Sequence, residues 1–403
     1  MSVLNRLLAR RDEDPLFVAV SLLALLALAT YPAVDQVLHH FEISPPFRFW
    51  DFGAYSGAVD RWLDGEPIYQ SEGGDYHGSY LYPPVVLLAF VPFTLWFSFN
   101  AGAMAWLACS IALLWVGLQR LAGALGCSLR PWERVALLPV IVGFHPLLFS
   151  IKMGQTAAAL GALLTFAASA SLRGRSYASG ALTAVCGLVK LPYAPAGAHL
   201  LADRDRFLGA VAGGLALLAV SLLAFGIDTH RTFLEVLAWG IREGSSTRSP
   251  ALWLPGYYRP FYSIPYSLVI RVAASLAIVV VVLRAAPDAR RETTALGFAA
   301  VPLLAPLTYT YYFIAAVPAV LLLVAAELDR ADGRPAVPVV GLLLLHVHSY
   351  GLLAAVHVAP GWIPGVLLQP GLWGNLVIVG LAAARVAAAG GPLPFRTALP
   401  ARD

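Results

Sequence analysis

Apolar residues in this chain occur in long runs that are separated by short charged or Gly/Pro-rich stretches. Because a helix of about 20 apolar residues crosses the hydrocarbon core of a bilayer, the pattern predicts an all-α, polytopic integral membrane protein. No composition shift divides the chain, so residues 1–403 are predicted to form a single membrane domain. Thirteen runs can be delimited, at residues 16–31, 83–99, 101–118, 135–151, 155–172, 177–190, 192–201, 207–225, 266–283, 294–306, 309–326, 337–356 and 362–383.

The composition agrees with this pattern, since 59% of the 403 residues are apolar, 12% are charged, and the mean hydropathy is +0.72. A soluble globular domain carries about 25% charged residues, so a soluble protein is excluded. The three cysteines have neither the spacing of a metal site nor an even disulfide framework. The first run, 16–31, lacks a small-residue cleavage site after it, which favours a retained helix over a signal peptide.

The positions of basic residues orient the chain, because short basic loops stay on the cytoplasmic side of a membrane. All basic loops and both termini are cytoplasmic if the chain makes about twelve crossings and one of the runs 83–99 and 101–118 is re-entrant. We therefore predict a multi-pass protein of the cell membrane with long outer loops at 35–82 and 227–265. The net charge of +4 then reflects basic inner loops and an acidic outer loop, and it indicates no nucleic-acid partner.

All acidic residues lie outside the apolar runs, which argues against an ion-coupled transporter with carboxylates inside the membrane. Asp51 stands out because it precedes Phe52, Tyr55 and Val59, which recur at helical spacing. This spacing predicts an amphipathic helix in the membrane interface, with Asp51 at its N-terminus. Two interpretations stay open: Asp51 caps the helix, or it is a general base that accepts a proton from a hydroxyl group.

Cations at the ends or inside of apolar runs indicate an anionic partner at the outer interface. The only lysines are Lys152 and Lys190, and both end a run on the predicted outer side. A lysine there can snorkel to the interface, but Lys190 lies at a break between two short runs, where an ammonium group in a cavity could bind phosphate. Arg271 lies inside a run, which is costly unless it faces a cavity, and with Arg259 it is a second phosphate candidate. No set of His, Cys and carboxylate residues has metal-ligand spacing.

Five motifs stand out along the chain: DFGAYSGAVDRWLDGEPIY from Asp51, YLYPP from Tyr80, GQT from Gly154, GLVKLPYAP from Gly187 and APLTYTYYF from Ala305. Together they resemble the motifs of glycosyltransferase family 87, a family of GT-C type membrane enzymes that use polyprenyl-phosphate sugars. Two positions depart from the family pattern, since Thr156 stands where Asn is common, and the pair at 311–312 is Tyr-Tyr where an aromatic-His pair is common.

The resemblance implies a GT-C type helical bundle and an inverting glycosyltransferase without a cofactor, with metal dependence left open. The expected donor is a polyprenyl- or dolichyl-phosphate-linked sugar, with mannose as the first candidate. The acceptor is a hydroxyl group of a lipid-linked or glycan molecule on the extracytoplasmic face. Asp51 is the expected base, and Lys190, helped by Arg259 or Arg271, stabilises the departing phosphate.

The remaining candidates for contacts to sugar or phosphate are Tyr82, Lys152, Gln155 and Tyr309. The alternative function is a transporter of lipids or polyprenol-linked glycans that catalyses no reaction. A transporter would tolerate Asp51→Asn with partial activity, whereas an enzyme that uses Asp51 as its base would not.

Overall fold

In the computed structural model, the described residues are 7, 9–39, 49–76, 78–245, 258, 267–305, 309–349, 355, 358 and 365–389. Their regular structure is helical, and β-pairing among them is limited to isolated bridges such as that between Glu72 and Asp75. The prediction of an all-α protein is therefore confirmed.

The α-helices of this part of the chain are numbered α1 to α14 in chain order. Short 3-10 helices lie between several of them, at Pro84–Ala89, Leu191–Ala202, Thr310–Ala315 and Gly365–Leu368. The α-helices are α1 Pro15–His39, α2 Trp50–Leu63, α3 Val91–Leu95, α4 Phe99–Ala124, α5 Pro131–Val142, α6 His145–Met153, α7 Ala157–Leu172, α8 Ser176–Val189, α9 Arg204–Ser245, α10 Ser267–Leu283, α11 Arg290–Leu304, α12 Ala316–Leu328, α13 Ala336–His346 and α14 Pro370–Ala389.

Several helices are long and apolar enough to cross a membrane. Helices α7, α8, α10 and α13 are apolar but shorter, and α5 with α6 counts as one further span if the bent pair crosses as a unit. The chain is therefore a multi-pass membrane protein, while twelve crossings and the sidedness of the termini stay predictions. Within the described ranges, five segments are long and apolar enough to span a membrane: Pro15–Ala33, Phe99–Ala124, Arg204–Gly240, Thr310–Leu328 and Pro370–Ala389.

The two neighbouring runs 83–99 and 101–118 differ, because only the second lies in a long continuous helix, α4. The first forms a 3-10 helix and α3, which meet at Phe90. About 12 helical residues rise no more than about 24 Å, which is less than the hydrocarbon thickness of about 30 Å. The run 83–99 is therefore the one that does not cross as a single helix.

The run 135–151 is not one straight helix, because it forms α5 and α6 with a bend of 72° between them. At the bend, a Cβ atom on Gly143 would overlap the carbonyl oxygen of Leu28 in α1, so the chain passes α1 closely there. The backbone N–H of His145, at the start of α6, donates to Nδ1 of His346 at 3.1 Å. The bend turns the end of α6 towards the first turn of α2.

The first half of the predicted outer loop 227–265 is helical, since α9 continues to Ser245. Gly226 interrupts α9 with φ 70° and ψ 174°, a conformation open to glycine and strained for other residues. The remainder, 246–265, lies outside the described residues apart from Tyr258. Two aromatic pairs hold this part of α9 against the loop after α2, Phe233 with Tyr69 and Trp239 with Tyr76, and just before the break Phe225 packs on Trp62 of α2.

Helix α2 packs its apolar face inside the protein, where Phe52, Tyr55, Ala58 and Val59 are buried. The helical spacing predicted for this stretch is confirmed, whereas its position in a membrane interface stays a prediction. The surrounding side chains form an aromatic cluster that includes Tyr69, Tyr76, Tyr80, Tyr82, Phe90, Trp106 and Trp239.

An ion-pair clamp ties α14 to the end of α12. The guanidinium of Arg385 donates to both carboxylate oxygens of Glu327 at 2.7 Å and to Asp332 at 2.9 Å. The Glu327 side chain is fully buried, and the backbone N–H of Arg334 donates to it at 2.7 Å. The clamp therefore joins the last described helix to the rest of the bundle through a buried charge.

Candidate functional site

Asp51 is held in the first turn of α2 by an unusual helix start. Phe49 adopts a left-handed conformation, with φ 58° and ψ 33°, and its N–H donates to the carbonyl oxygen of Lys152 at 3.1 Å. The helix begins at Trp50, so Phe49 occupies the N-cap position and Asp51 lies inside the helix. The interpretation of Asp51 as the helix cap is therefore wrong, and its carboxylate is free for another role.

A close backbone approach brings the junction of α6 and α7 against this turn. Gly154 ends α6 with φ +73°, and a Cβ atom there would lie 2.7 Å from Cβ of Phe52 and 3.2 Å from its backbone nitrogen. Both the left-handed conformation and the contact require glycine. The next residue, Gln155, is thereby placed beside α2, on the side where Asp51 and Tyr55 share one helix face.

Gln155 is the centre of a buried hydrogen-bond network, with only 4% of its surface exposed. Its Oε1 accepts from Nζ of Lys190 at 3.0 Å, from the hydroxyl of Tyr82 at 3.1 Å and from the hydroxyl of Tyr55 at 3.2 Å. The backbone N–H of Thr156 also points to this oxygen, at 3.4 Å. On the other side of the amide, Nε2 lies 3.5 Å from the hydroxyl of Tyr311.

Lys190 lies at the break between α8 and the 3-10 helix Leu191–Ala202, where its backbone is extended with φ −141° and ψ 100°. Besides its bond to Gln155, its Nζ donates to the hydroxyl of Tyr82 at 2.8 Å. The same nitrogen lies 4.6, 5.1 and 5.3 Å from the ring centroids of Tyr311, Tyr82 and Tyr312. The ring faces of Tyr311 and Tyr312 therefore stabilise the ammonium group, Tyr82 binds it through its hydroxyl, and 9% of the residue stays exposed.

Burial raises the pKa of Asp51 above its ordinary value, because a carboxylate loses hydration in this position. The positive charge of Lys190 and the side chain of Gln155 act in the opposite direction, and burial prevails. No direct ion pair joins Asp51 and Lys190 among the described side chains, and the Gln155 side chain interacts with both groups. A carboxylate with a raised pKa holds a proton more readily than an exposed one does.

Tyr309 lies at the edge of the same site. Its ring stacks on that of Tyr311, with centroids 5.1 Å apart and planes inclined by 10°. The stack continues to Phe149 on the other side of Tyr311, at 6.4 Å. Of the residues predicted from the sequence, the structure therefore brings Asp51, Tyr82, Gln155, Lys190 and Tyr309 into one cluster.

The other three predicted residues are placed differently. Arg271 is half-buried in α10, and it makes no side-chain hydrogen bond or ion pair with any described member of the cluster. Lys152 lies in the last turn of α6 and takes part in the site through its carbonyl oxygen, which accepts the N–H of Phe49. Arg259 lies outside the described residues.

Three tyrosines of the cluster are missed by sequence reasoning. Tyr55 follows the apolar spacing of α2, yet its hydroxyl donates to that of Tyr82 at 2.8 Å. Tyr311 and Tyr312 contribute ring faces to Lys190. The departure from an aromatic-His pair at these two positions is the sequence signal that could have identified them.

An apolar cavity of about 220 Å³ adjoins the cluster. Thr156 and Val189, which line it, are the chain neighbours of Gln155 and Lys190. Helices α4, α7, α8 and α9 and the 3-10 helix Pro84–Ala89 supply the wall, which includes Val85, Phe90, Trp106, Leu160, Leu163 and Leu217. Among the described residues, no three His, Cys, Asp or Glu side chains converge in the manner of a metal site.

Comparison with known proteins gives one family match. The model of glycosyltransferase family 87 matches residues 80–310, which is more than half of the chain. The matched region contains Tyr82, Gln155, Lys190 and Tyr309, and it begins after Asp51. No curated protein matches the chain.

One solved structure resembles the chain distantly. It is ArnT from Cupriavidus metallidurans bound to undecaprenyl phosphate, which is 16% identical in sequence. The alignment covers 94% of this chain and 78% of ArnT, with a TM-score of 0.36.

Proposed function

The chain belongs to glycosyltransferase family 87, and on this premise we propose that it transfers a sugar from a polyprenyl- or dolichyl-phosphate donor to a hydroxyl acceptor. Mannose is the expected sugar, the acceptor is a lipid-linked or glycan molecule, and the reaction takes place on the extracytoplasmic face. The observation that supports this proposal is the pairing of a half-buried carboxylate, Asp51, with a caged ammonium group, Lys190, on two sides of Gln155.

The proposed reaction is a single displacement. The carboxylate of Asp51 accepts the proton of the acceptor hydroxyl, and the acceptor oxygen forms a bond to the anomeric carbon of the sugar. The bond between this carbon and the phosphate oxygen breaks, and the lipid phosphate leaves with the electron pair. Because attack and departure occur on opposite faces of the anomeric carbon, the configuration is inverted. The raised pKa of Asp51 favours its role as proton acceptor.

The ammonium group of Lys190 has a free N–H group and a positive charge with which it can stabilise the departing phosphate. Two of its three N–H groups are used by Tyr82 and Gln155, which leaves one for a phosphate oxygen. Since no described carboxylate forms an ion pair with this ammonium, its charge is not cancelled before the donor binds. Arg259, Arg271 and Lys152 are proposed as further phosphate ligands, and Tyr82 and Tyr309 as contacts to the sugar.

The apolar cavity beside the cluster supports a lipid-linked donor. A donor of this class carries an isoprenoid chain directly attached to its phosphate. The cavity is lined by Val189 next to Lys190 and by Thr156 next to Gln155, and the rest of its wall is apolar, so a phosphate at Lys190 would have its first isoprene units against this wall. Burial of these units would add to binding by the hydrophobic effect.

The test is a transfer assay with purified protein in proteoliposomes, radiolabelled polyprenyl-phosphate mannose and a mixed lipid acceptor pool. We expect Asp51→Asn to lower the transfer rate by about 10²–10⁴-fold, because the base is removed. Asp60→Asn is the matched control, since Asp60 is an exposed acid on the same helix, and it should leave the rate unchanged. Equal rates for wild type and Asp51→Asn would exclude Asp51 as base. Absence of covalent product from wild type, with lipid movement retained in Asp51→Asn, would favour the transporter.

A further inference from the structure

Gln155 lies between the two charged groups of the site, and its own hydrogen bonds determine what it can do there. We propose that Gln155 is a positioning residue that keeps the Asp51 carboxylate and the Lys190 ammonium apart and oriented, instead of a residue that contacts the sugar or phosphate. This inference rests on the proposed function, because it assigns a role within the same site.

The direction of the Gln155 amide is determined by partners that can only donate. A lysine ammonium and a backbone N–H have no acceptor atom, and both Lys190 and Thr156 point to the same amide atom of Gln155. That atom is therefore the carbonyl oxygen. The NH₂ group then lies on the opposite side, towards Tyr311 and Asp51, where it favours the charged form of the carboxylate.

The amide oxygen has no capacity left for a substrate. A carbonyl oxygen has two lone pairs, yet it already meets Lys190, Tyr82, Tyr55 and the N–H of Thr156 within 3.4 Å. Gln155 is also buried, so a sugar hydroxyl would have to displace one of these partners. The remaining role for the side chain is to hold the groups that surround it.

The proposed reaction requires that the Asp51 carboxylate and the Lys190 ammonium group stay separate. A carboxylate and an ammonium group in a buried site attract each other strongly, and a direct ion pair would make Asp51 a weaker base and cancel the charge of Lys190. Inversion also requires the base and the leaving phosphate on opposite sides of the anomeric carbon. Gln155 maintains such a gap from the Asp51 side, while the rings of Tyr82, Tyr311 and Tyr312 hold Lys190 from the other.

The test measures protonation of Asp51 without relying on activity. Infrared spectra of the reconstituted protein are recorded at a series of pH values, and their differences give a band of the protonated carboxyl group. The band is assigned to Asp51 by its loss in Asp51→Asn. The other titratable groups that face Asp51 are Lys190, Tyr55, Tyr311 and Tyr312, and ordinary tyrosines titrate near pH 10, well above a carboxyl group.

Two substitutions of Gln155 should shift the pH midpoint of the Asp51 carboxyl band in opposite directions. In Gln155→Ala, Asp51 can reach Lys190, so its midpoint should fall by about 1 pH unit or more. In Gln155→Glu, which is nearly isosteric, a second carboxylate binds Lys190 and repels Asp51, so the midpoint should rise. Gln119→Ala is the matched control, since Gln119 donates to the Trp115 carbonyl in α4, outside the cluster, and it should leave the midpoint unchanged.

Transfer kinetics separate the positioning role from substrate contact. A positioning residue should lower kcat by about 100-fold in Gln155→Ala with little change in the donor KM, whereas a substrate contact would raise KM at an unchanged midpoint. Unchanged midpoints in the folded variants overturn the inference, and Gln155→Glu decides alone if Gln155→Ala does not fold. Shifted midpoints without any transfer by wild type would instead overturn the proposed function and leave the positioning role intact.

Discussion

Lys190 is the residue on which the proposed phosphate contact depends most. Its ammonium group is surrounded by three tyrosine rings and bonded to Tyr82 and Gln155. Lys190→Met keeps most of the side-chain volume and removes the charge, so we expect kcat/KM for the donor to fall by about 10²–10³-fold. The measurement is the initial rate of label transfer in proteoliposomes, with thermal unfolding to verify that the variant folds.

Lys190→Arg is the matched control for charge. Arginine keeps the positive charge, but its planar guanidinium is larger than an ammonium group and has different hydrogen-bond directions. The Arg variant should therefore lose less activity than the Met variant. Wild-type rates in Lys190→Met would show that this charge has no role in catalysis.

At the residue scale, the charged residues and two tyrosines of the site, Tyr82 and Tyr309, could be predicted, whereas Tyr55, Tyr311 and Tyr312 could not. Asp51 and Lys190 stand out in the sequence because charged residues next to apolar runs are costly and scarce, whereas Gln155 was found through the GQT motif of the family resemblance. Tyr55 has the same spacing as a core residue, since its ring is buried while its hydroxyl reaches the network. A tyrosine has an apolar body and a polar end, so the sequence pattern alone does not reveal which of the two matters.

At the element scale, the junction between α6 and α7 positions the site through a single glycine. Gly154→Ala introduces a strained left-handed residue, at about 1–2 kcal/mol, and a Cβ atom that would overlap Phe52 in the first turn of α2. The contact must open, which moves Asp51 away from Gln155. We expect a lower thermal midpoint together with a reduced transfer rate, both measured on the purified variant.

Gly174→Ala separates backbone strain from the close contact. Gly174 has φ +71°, nearly the same as Gly154, and no atom lies within 4 Å of its expected Cβ position. Gly174→Ala should lower the thermal midpoint through backbone strain, as Gly154→Ala does, but it should leave the transfer rate unchanged. Equal effects of the two substitutions on transfer would mean that the contact with Phe52 does not position Asp51.

Breaks within helices were harder to predict than the helices themselves. The bend between α5 and α6 depends on Gly143 meeting α1, a contact that is distant in sequence. The charged residues of 227–245 favour the prediction of a loop. The segment is helical because Phe233, Val236 and Trp239 pack against the aromatic cluster. In both cases, tertiary packing decides the local structure.

At the scale of the whole molecule, the clamp around Glu327 should contribute strongly to stability. Arg385→Ala would leave a fully buried carboxylate without its ion-pair partner, which typically costs about 3–5 kcal/mol. Arg231→Ala is the control, because Arg231 and Asp228 form an ion pair with side chains that are 72% and 87% exposed, worth about 0–1 kcal/mol. Unfolding of both variants in detergent measures the difference, and similar midpoints would contradict the role assigned to the clamp.

The architecture as a whole was the most predictable level. Apolar runs and scarce charge are sufficient for an all-α membrane protein, because the bilayer leaves few other solutions for the backbone. The motifs were sufficient for the family, which the match over residues 80–310 shows. The number of crossings stays a prediction, since it depends on how short and bent helices are arranged in a bilayer.

The break at Gly226 gives α9 two different surroundings. Before the break, Leu215, Leu218 and Leu223 are exposed and suited to acyl chains, and after it Phe233 and Trp239 press on the loop that carries Tyr82. A helix that adjusts its tilt to match bilayer thickness would therefore move the wall of the site at its other end.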